Sequence, residues 1–259
     1  MKYMGSKARM AKDLKFIIES IMREQGIDTY IEPFVGGCNV IEVINAEHKI
    51  ANDTNKYLIA LWKAMISGWN PPEEIELSLY KDIRENKDKY PEELVGAAGV
   101  FASFNGSWFS GHYKGGEKTK IGTVRNYYRE GVENVRKQIG KLKDVEFKSG
   151  DYTQFSEVRG ALIYCDPPYE CTQGYENEFD SKAFWIWVRK MSEHNIVLVS
   201  EYYAPDDFKI IHEEELQVHF KDINRSARER VFTINDTKFI GMLEQRWSKI
   251  DIEELDDMI

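Results

Sequence analysis

The sequence predicts an α/β fold with a doubly wound, mostly parallel sheet that is interrupted by an inserted, mainly helical segment. Short apolar runs recur along the chain, end in polar residues and are separated by stretches with helical spacing. A glycine turn follows the first run and an aspartate follows the second, which is typical of a parallel βαβ unit. We therefore expect one domain formed by 1–69 and 144–259, with a subdomain at 70–143 inserted into it.

The first quarter of the chain supplies the elements of that βαβ unit. Helices are predicted from apolar residues at helical spacing, and strands from short runs rich in β-branched or aromatic residues. In chain order, the elements are a helix from Ser6 to Arg23, a strand in TYIE, the turn PFVGG, a helix from Asn39 to Ala46, a strand in HKIA ending at Asn52 and Asp53, and a helix from Thr54 to Ser67.

The rest of the chain falls into two parts. The inserted part is mostly helical from Pro71 to Asn105, glycine-rich to Gly122, and helical again from Val124 to Leu142. The βα rhythm then resumes. The later strands are predicted in VEFKSGD, GALIYCD and NIVLVSE, and at one edge in Gln217 to Ile223, Arg230 to Ile234 and Lys238 to Leu243.

Composition narrows the class of protein. The chain has 259 residues, of which 42% are hydrophobic, enough to bury a large core. Its 3 cysteines form no CxxC pair, so neither a disulfide framework nor a metal site is predicted. No apolar stretch is long enough to cross a bilayer, and the first residues lack the apolar centre of a signal peptide. We expect a cytoplasmic protein without a membrane partner, acting as a monomer or weak dimer.

Charge is distributed unevenly along the chain. A net charge of −9 opposes nonspecific attraction to nucleic acid, because phosphates repel a uniformly acidic surface. The stretch from Ser103 to Lys143, however, contains nine Lys and Arg against three Glu. Acidic residues are concentrated elsewhere, in His212 to Glu215 and Asp251 to Asp257. The inserted segment therefore carries a local positive charge that the whole chain does not.

The turn EPFVGG and Asp53 occupy the places where open α/β sheets bind ligands, beyond the carboxyl ends of strands. Glycines let the backbone approach a ligand there, and an acid after the second strand can accept both ribose hydroxyls of a nucleoside. The turn lacks the GxGxxG pattern, so NAD is not favoured. From these residues alone, a tight turn with Asp53 capping the next helix explains the pattern equally well.

The motif DPPY follows directly on the apolar run GALIYC. Asp166 offers a carboxylate, and the Pro167 carbonyl is a second acceptor that Pro168 cannot satisfy because proline has no N–H. Two adjacent acceptors match an amino group with two N–H donors and gain strength as positive charge builds on the nitrogen. Tyr169 offers a flat face for a base. The alternative is a helix-capping acid in a proline-stiffened loop.

Taken together, these motifs resemble the DNA adenine methylase (Dam) family of S-adenosylmethionine-dependent N6-adenine methyltransferases, in the α arrangement and in a form similar to phage-borne members. The resemblance rests on YMGSK, EPFVGG, the acid pair ND, the inserted segment and DPPY, in that order along the chain. It implies a class I methyltransferase (Rossmann-like) fold, S-adenosylmethionine as cofactor, no metal, and double-stranded DNA as partner. The inserted subdomain would recognise the DNA target.

The resemblance also implies roles for individual residues. For catalysis, the implied residues are Asp166, Pro167, Pro168 and Tyr169. For cofactor binding, they are Tyr3, Met4, Gly5, Ser6, Lys7, Glu32, Pro33, Phe34, Gly36, Asn52, Asp53, Asp151, Tyr152 and Asp166.

DNA contact is predicted from residue type in the inserted segment and in NRSARER, because an enzyme that acts on a base in a duplex must flip it out. The candidates are Asn105, Trp108, His112, Lys114, Lys118, Lys120, Arg125 and Arg225. Trp108 and Phe109 could wedge into the duplex, although packing as a buried aromatic pair is the more usual role of such residues. A solvated hairpin explains NRSARER equally well.

Some assignments stay open at this stage. The loop NGSWFSGHYKGG differs from the loop of relatives that read GATC, so the recognition sequence is undetermined, and Glu201 replaces an asparagine found in many relatives. The same chemistry could serve RNA adenine or a protein glutamine amide. A nonenzymatic DNA-binding protein with this fold is a further alternative. The biological role is also open among restriction, phage defence and regulation.

Overall fold

The computed structural model describes residues 1, 3, 5–113, 117–118, 124–169, 179–220 and 223–245. In these residues the helices are α1 (Ala11–Gln25), α2 (Lys56–Ile66), α3 (Leu77–Glu85), α4 (Glu92–Val100), α5 (Tyr127–Ile139), α6 (Ser181–Ser192) and a helix over 238–245. The strands are β1 (Thr29–Glu32), β2 (His48–Asp53), β3 (Glu117–Lys118), β4 (Val124–Arg125), β5 (Val145–Ser149), β6 (Leu162–Cys165), β7 (Ile196–Glu201), β8 (Lys209–Phe220) and β9 (Ile223–Thr233).

The fold is mixed α/β, as predicted. The sheet has seven strands in the order β5-β2-β1-β6-β7-β9-β8. Pairing is parallel between β2 and β5, β1 and β6, and β6 and β7, and antiparallel where β9 meets β7 and β8. All four residues of β6 are buried, as expected for a strand inside a parallel sheet with both faces covered.

The described chain divides into two compact units. The first contains Met1–Lys12, Val35–Ile44 and the described residues of Lys49–Asp151. The predicted subdomain 70–143 lies wholly within it and includes α3, α4 and α5. Helix α4 packs closely on α2, where a Cβ added at Gly96 would lie 2.3 Å from the carbonyl oxygen of Tyr57. That residues 70–143 form a separate subdomain with these boundaries stays a prediction.

The second unit contains the described residues of Asp13–Phe34, Asn45–His48 and Tyr152–Ile259. Its core is built from β1, β6 and β7, where the side chains of Ile31, Ile163 and Leu198 are completely buried. Beyond β7, β9 returns antiparallel and continues the sheet into the long hairpin with β8. Paired edge strands are therefore present as predicted, but with other bounds, because the predicted segment Gln217 to Ile223 extends from β8 to the first residue of β9.

The predicted helix from Asn39 to Ala46 is wrong. Residues 39–43 form successive turns, with hydrogen bonds from Cys38 N to Val35 O at 2.9 Å and from Val43 N to Val40 O at 2.9 Å. Cys38 has a φ of 54°, a left-handed conformation that interrupts any helix running out of the glycine turn. The segment is also rich in β-branched residues, which are stiff and weak helix formers.

The predicted strand from Lys238 to Leu243 is also wrong, because residues 238–245 are helical. The Glu24 carboxylate on α1 accepts the backbone N–H groups of Lys238 and Phe239, each at 2.9 Å. Thr237 Oγ1 accepts the Ile240 N–H at 3.1 Å. These three bonds satisfy donors at the start of the helix that would otherwise lack partners. A carboxylate more than two hundred residues away therefore completes the cap that Thr237 supplies locally.

Membrane crossing requires a long and apolar helix. No helix in the part of the chain described above has both properties.

Candidate active site

The glycine turn after β1 is built to bring backbone close to a neighbouring ring. Gly36 has a φ of 45°, and a Cβ added to it would lie 3.1 Å from Cδ1 of Tyr3. Only glycine combines that conformation with so close an approach. The Gly36 carbonyl accepts the indole N–H of Trp62 at 3.1 Å, a support on α2 that sequence reasoning missed. The turn is thus held on both sides, and two predicted cofactor residues, Tyr3 and Gly36, are in contact.

Asp53 at the end of β2 is fixed against the same turn. One carboxylate oxygen accepts the Gly36 N–H at 3.1 Å, and the other accepts the Asn55 N–H at 2.9 Å. Burial raises the pKa of Asp53 above its ordinary value, although the backbone N–H groups of Asn55 and Gly36 lower it. A carboxylate has about four lone-pair sites, so both oxygens keep acceptor capacity after these two bonds. That arrangement fits the two hydroxyls of a ribose.

Asn52 and Asp151 have different surroundings. Asn52 is fully buried, donates to the Gly150 carbonyl at 2.8 Å, and its own carbonyl accepts the Val35 N–H at 2.7 Å. It therefore ties the ends of β2 and β5 to the glycine turn. Asp151 is exposed just beyond β5.

The predicted YMGSK element lies partly inside the protein. Lys7 is only 5% exposed and donates from Nζ to the Gly5 carbonyl at 3.0 Å, while Gly5 has a φ of 76°. A buried ammonium must be held by acceptors, so Lys7 is not a solvated surface lysine. Ser6 Oγ accepts the side-chain N–H of Asn39 at 2.9 Å. Met4 lies outside the described residues.

The DPPY motif begins where β6 ends. Asp166 is half-buried, Pro167 is buried, and Pro168 and Tyr169 are half-buried. Burial, together with the charge of Asp166, raises the pKa of both Tyr164 and Cys165 well above their ordinary values. These neighbours of Asp166 therefore stay neutral.

Three of the other predicted residues of the second unit, Glu32, Pro33 and Tyr152, are buried. Glu32 is 3% exposed and accepts the Tyr30 hydroxyl at 2.7 Å, and Pro33 is buried. The half-buried ring of Phe34 lies with its centroid 5.6 Å from that of Tyr152, so these two predicted cofactor residues are brought together. The remaining members of the aromatic cluster are Phe179, Phe184 and Trp187.

Two predicted DNA-contact residues have packing roles in the structure. Trp108 stacks on Tyr57 at 6.2 Å between ring centroids, and the buried ring of Phe109 meets Trp108 edge-on at 4.9 Å. His112 Nε2 donates to the Ile75 carbonyl at 2.8 Å. The aromatic pair is therefore used in packing, and contact of Trp108 and His112 with DNA stays a prediction.

Replacing Gly99 with alanine tests the packing of Trp108. A Cβ at Gly99 would lie 2.2 Å from Cζ3 of the indole, so we expect a loss of about 1–3 kcal/mol in the free energy of unfolding. The control is Gly140→Ala, because Gly140 has a φ of −60° and open space at its Cβ. Urea unfolding of both variants measures the difference. Equal stability of the two would contradict the close contact.

The remaining DNA-contact predictions are exposed or only partly described. Asn105 is exposed with a φ of 59°, and Arg125 is exposed, pairs with Glu130 and lies over the Tyr127 ring. Lys118 lies on β3 and Arg225 on β9, and only the backbone of these two residues is described. Lys114 and Lys120 lie outside the described residues.

Sequence reasoning missed three further residues, one beside the predicted DNA-contact aromatics and two that contact Tyr169 of the DPPY motif. Phe104 is 67% exposed near the start of the 103–112 loop, close in sequence to the aromatics that were predicted. The Tyr169 hydroxyl donates to the carboxylate of Glu229, and its ring meets that of Tyr202 edge-on at 4.8 Å. No local pattern marks Glu229 or Tyr202, because their partner is far away in sequence.

Two curated relatives are similar to this chain. A type II methyltransferase, M.MjaIII of Methanocaldococcus jannaschii, is 23% identical over 197 residues, which is 66% of this chain and 68% of that protein. The type II methyltransferase M.FokI of Planomicrobium okeanokoites is 24% identical over 216 residues, or 73% of this chain. The aligned region is only 31% of M.FokI.

Solved structures show a weaker likeness. The rRNA methyltransferase aviRa from Streptomyces viridochromogenes has a TM-score of 0.37 and 13% identity, covering 90% of this chain and 86% of that one. A score at that level supports no functional conclusion.

Family assignment rests on a match that covers most of the chain. Residues 3–218 match the sequence model of the D12 class N6 adenine-specific DNA methyltransferases. The matched range contains every predicted catalytic and cofactor residue, from Tyr3 to Tyr169. The chain therefore belongs to the D12 class N6 adenine-specific DNA methyltransferase family and is an adenine-specific DNA methyltransferase that uses S-adenosylmethionine.

Proposed function

We propose that the protein methylates the N6 amine of an adenine flipped out of double-stranded DNA, with Asp166 and the Pro167 carbonyl accepting the two N–H groups of the amine. One observation carries this proposal: a carboxylate and a proline carbonyl continue directly from the buried strand β6. The two acceptors are on consecutive residues that follow a buried strand. Precise placement of that kind is what catalysis by hydrogen bonding requires.

The chemistry depends on the poor nucleophilicity of an exocyclic adenine amine, whose lone pair is drawn into the ring. S-adenosylmethionine supplies an electrophilic methyl group on a sulfonium. Asp166 and Pro167 favour a pyramidal nitrogen and bind it more tightly as positive charge develops, which is selective stabilisation of the transition state. The surplus proton leaves to water. Tyr169 stacks on the base, Pro168 stiffens the loop, and neither role requires a metal.

The ribose of S-adenosylmethionine is assigned to Asp53 in the first unit, because the hydrogen-bond acceptors there fit its hydroxyls. Asp53 accepts the ribose hydroxyls with its remaining lone pairs, and Gly36 with Tyr3 shapes the adjacent turn. Lys7 and Asn52 hold the surrounding backbone. The further residues that we propose for cofactor binding are Met4, Gly5, Ser6, Glu32, Pro33, Phe34, Asp151, Tyr152 and Asp166.

DNA binding is assigned to the inserted segment, where Phe104 is the foremost candidate. Its side chain is 67% exposed, although large aromatic side chains usually bury most of their surface. The loop that carries it is rigid, since Phe104 N donates to the Gly111 carbonyl at 2.7 Å and Ser107 N to the Phe104 carbonyl at 3.2 Å. A fixed, exposed ring can occupy the space that a flipped base leaves in the stack.

Replacing Phe104 with alanine should weaken base flipping. We expect the fluorescence rise of 2-aminopurine, placed at the target adenine, to fall several-fold and KM for DNA to increase, because base–aromatic stacking contributes about 1–3 kcal/mol. The control is Phe16→Ala, since Phe16 on α1 is also 60% exposed. Equal fluorescence from both variants would remove Phe104 from DNA binding.

Transfer of labelled methyl in vitro tests the substrate assignment. Purified protein, labelled S-adenosylmethionine and DNA free of adenine methylation should yield N6-methyladenine after nuclease digestion. Label on RNA or on a protein glutamine amide, with none on DNA, would favour the alternative substrates. S-adenosylmethionine binding by calorimetry checks whether the protein is a nonenzymatic DNA-binding protein.

The biological setting is inferred from the relatives. Two of them are named type II methyltransferases, which supports a role as the modification enzyme of a restriction system. A cytoplasmic location and a monomeric or weakly dimeric state remain predictions.

A further inference from the structure

Tyr169 of the DPPY motif is held both by its hydroxyl and by its ring. Its hydroxyl donates to the Glu229 carboxylate, and the ring meets Tyr202 edge-on, with centroids 4.8 Å apart and an interplanar angle of 75°. An edge-to-face contact and a charge-assisted hydrogen bond together fix both the position and the tilt of an aromatic ring. The plane that Tyr169 presents is therefore set by residues outside the motif.

Glu229 reaches Tyr169 because of where β9 lies in the sheet. Strand β9 pairs with β7 so that Arg230 is opposite Glu201, and it pairs with β8 so that Glu229 is opposite Glu214. Side chains alternate along a strand, so Glu229 and Arg230 point to opposite faces. Arg230 is bound to Glu213 and to the Tyr202 carbonyl.

The surroundings of Glu229 suit a functional acid better than a structural one. Its side chain is buried, with 6% exposed, and burying a carboxylate is unfavourable unless it is hydrogen-bonded. Like charges directly opposite each other destabilise a strand pair, and Glu229 faces Glu214 in the register. An acid that served only the hairpin would not be expected here.

The electrostatics keep Tyr169 a hydrogen-bond donor. Burial, followed by the charges of Asp166 and Glu229, raises the pKa of Tyr169 far above its ordinary value. The phenol is therefore neutral at any physiological pH and donates its proton to Glu229.

We propose that Glu229, supported by Tyr202, is a positioning residue that sets the plane of Tyr169 for stacking on the target base. This inference rests on the proposed function, in which Tyr169 contacts the adenine. Glu229 touches neither base nor cofactor in this account and acts through Tyr169. It joins the β8–β9 hairpin to the chemistry at the end of β6.

Four variants test the proposal: Glu229→Ala, Glu229→Gln, Tyr169→Phe and the double variant Tyr169→Phe with Glu229→Ala. Glu229→Ala should lower kcat at least about tenfold, the size of one charge-assisted hydrogen bond, with KM for S-adenosylmethionine unchanged. Glu229→Gln keeps an acceptor for the phenol and should recover most of the rate. In the Tyr169→Phe background, Glu229→Ala should have no further effect, because its partner is already absent.

The matched control is Glu215→Gln, since Glu215 is an exposed glutamate on β8. It should leave kcat unchanged, and circular dichroism should show all variants folded. Additive effects in the double variant, or full activity of Glu229→Ala, would overturn the inference while leaving the proposed function intact. Absence of methyl transfer by the unaltered protein would instead overturn the proposed function, and this inference with it.

Discussion

Replacing Asp166 with alanine is expected to lower the single-turnover rate of methyl transfer by about 10³-fold, because it removes an acceptor that binds the amine most tightly in the transition state. Asp166 follows the buried strand β6, so the fold should survive its loss. Rapid-quench measurement at saturating S-adenosylmethionine and DNA isolates the chemical step from binding.

Asp166→Asn is the informative companion variant. Asparagine keeps one oxygen acceptor but loses the charge, so its rate should fall between those of the parent and the alanine variant. Far-UV circular dichroism shows whether each variant is folded. A folded Asp166→Ala protein with the full rate would show that the carboxylate does not act on the amine.

Replacing Asp53 with alanine should raise the KM for S-adenosylmethionine by about 10- to 100-fold, the loss expected for one or two hydrogen bonds to a charged group. The kcat at saturating cofactor should change little, since Asp53 is assigned to binding rather than to the reacting atoms. Steady-state kinetics with varied cofactor, supported by calorimetry, measures both quantities.

The pKa of Asp53 adds a pH dependence with a defined sign. Burial raises this pKa, so the carboxylate takes up a proton at a higher pH than an ordinary aspartate as the pH falls. Affinity for the cofactor should therefore be highest above the raised pKa and should weaken as the pH falls through it. The Asp53→Ala variant should lack this pH dependence. Asp144→Ala, which changes an exposed aspartate before β5, is the control. Parallel pH profiles for both variants would contradict the assignment.

The strand ends that carry the chemistry could be predicted from local sequence. Continuous apolar runs followed by an acid mark parallel strands, and the ends of β2 at Asp53 and of β6 before Asp166 were expected there. The contact of Gly36 with Asp53 also follows from a glycine turn beside a strand-end acid. These features depend on residues that are close together in sequence, or on the rule that the carboxyl ends of parallel strands lie at the same edge of a sheet.

The features that could not be predicted depend on tertiary contacts. Helix 238–245 is capped in part by Glu24, which is distant in sequence. The turns at 39–43 follow Cys38, whose left-handed backbone conformation could not be expected because the residue is not a glycine. The hydrogen bond from Tyr169 to Glu229 joins residues sixty positions apart. Exposure of Phe104, while Phe109 is buried and Trp108 packs against Gly99, likewise depends on how the loop folds.

Adenine methylation itself is tested most directly by expressing the protein in a host that lacks DNA methylation and sequencing the genomic DNA by a single-molecule method. The account predicts N6-methyladenine at one recurring sequence in cells with the unaltered protein and far less of it in cells with Asp166→Ala. That experiment also reveals the recognition sequence. Unmodified adenines throughout the genome, in cells where the folded protein is present and binds S-adenosylmethionine, would contradict the account.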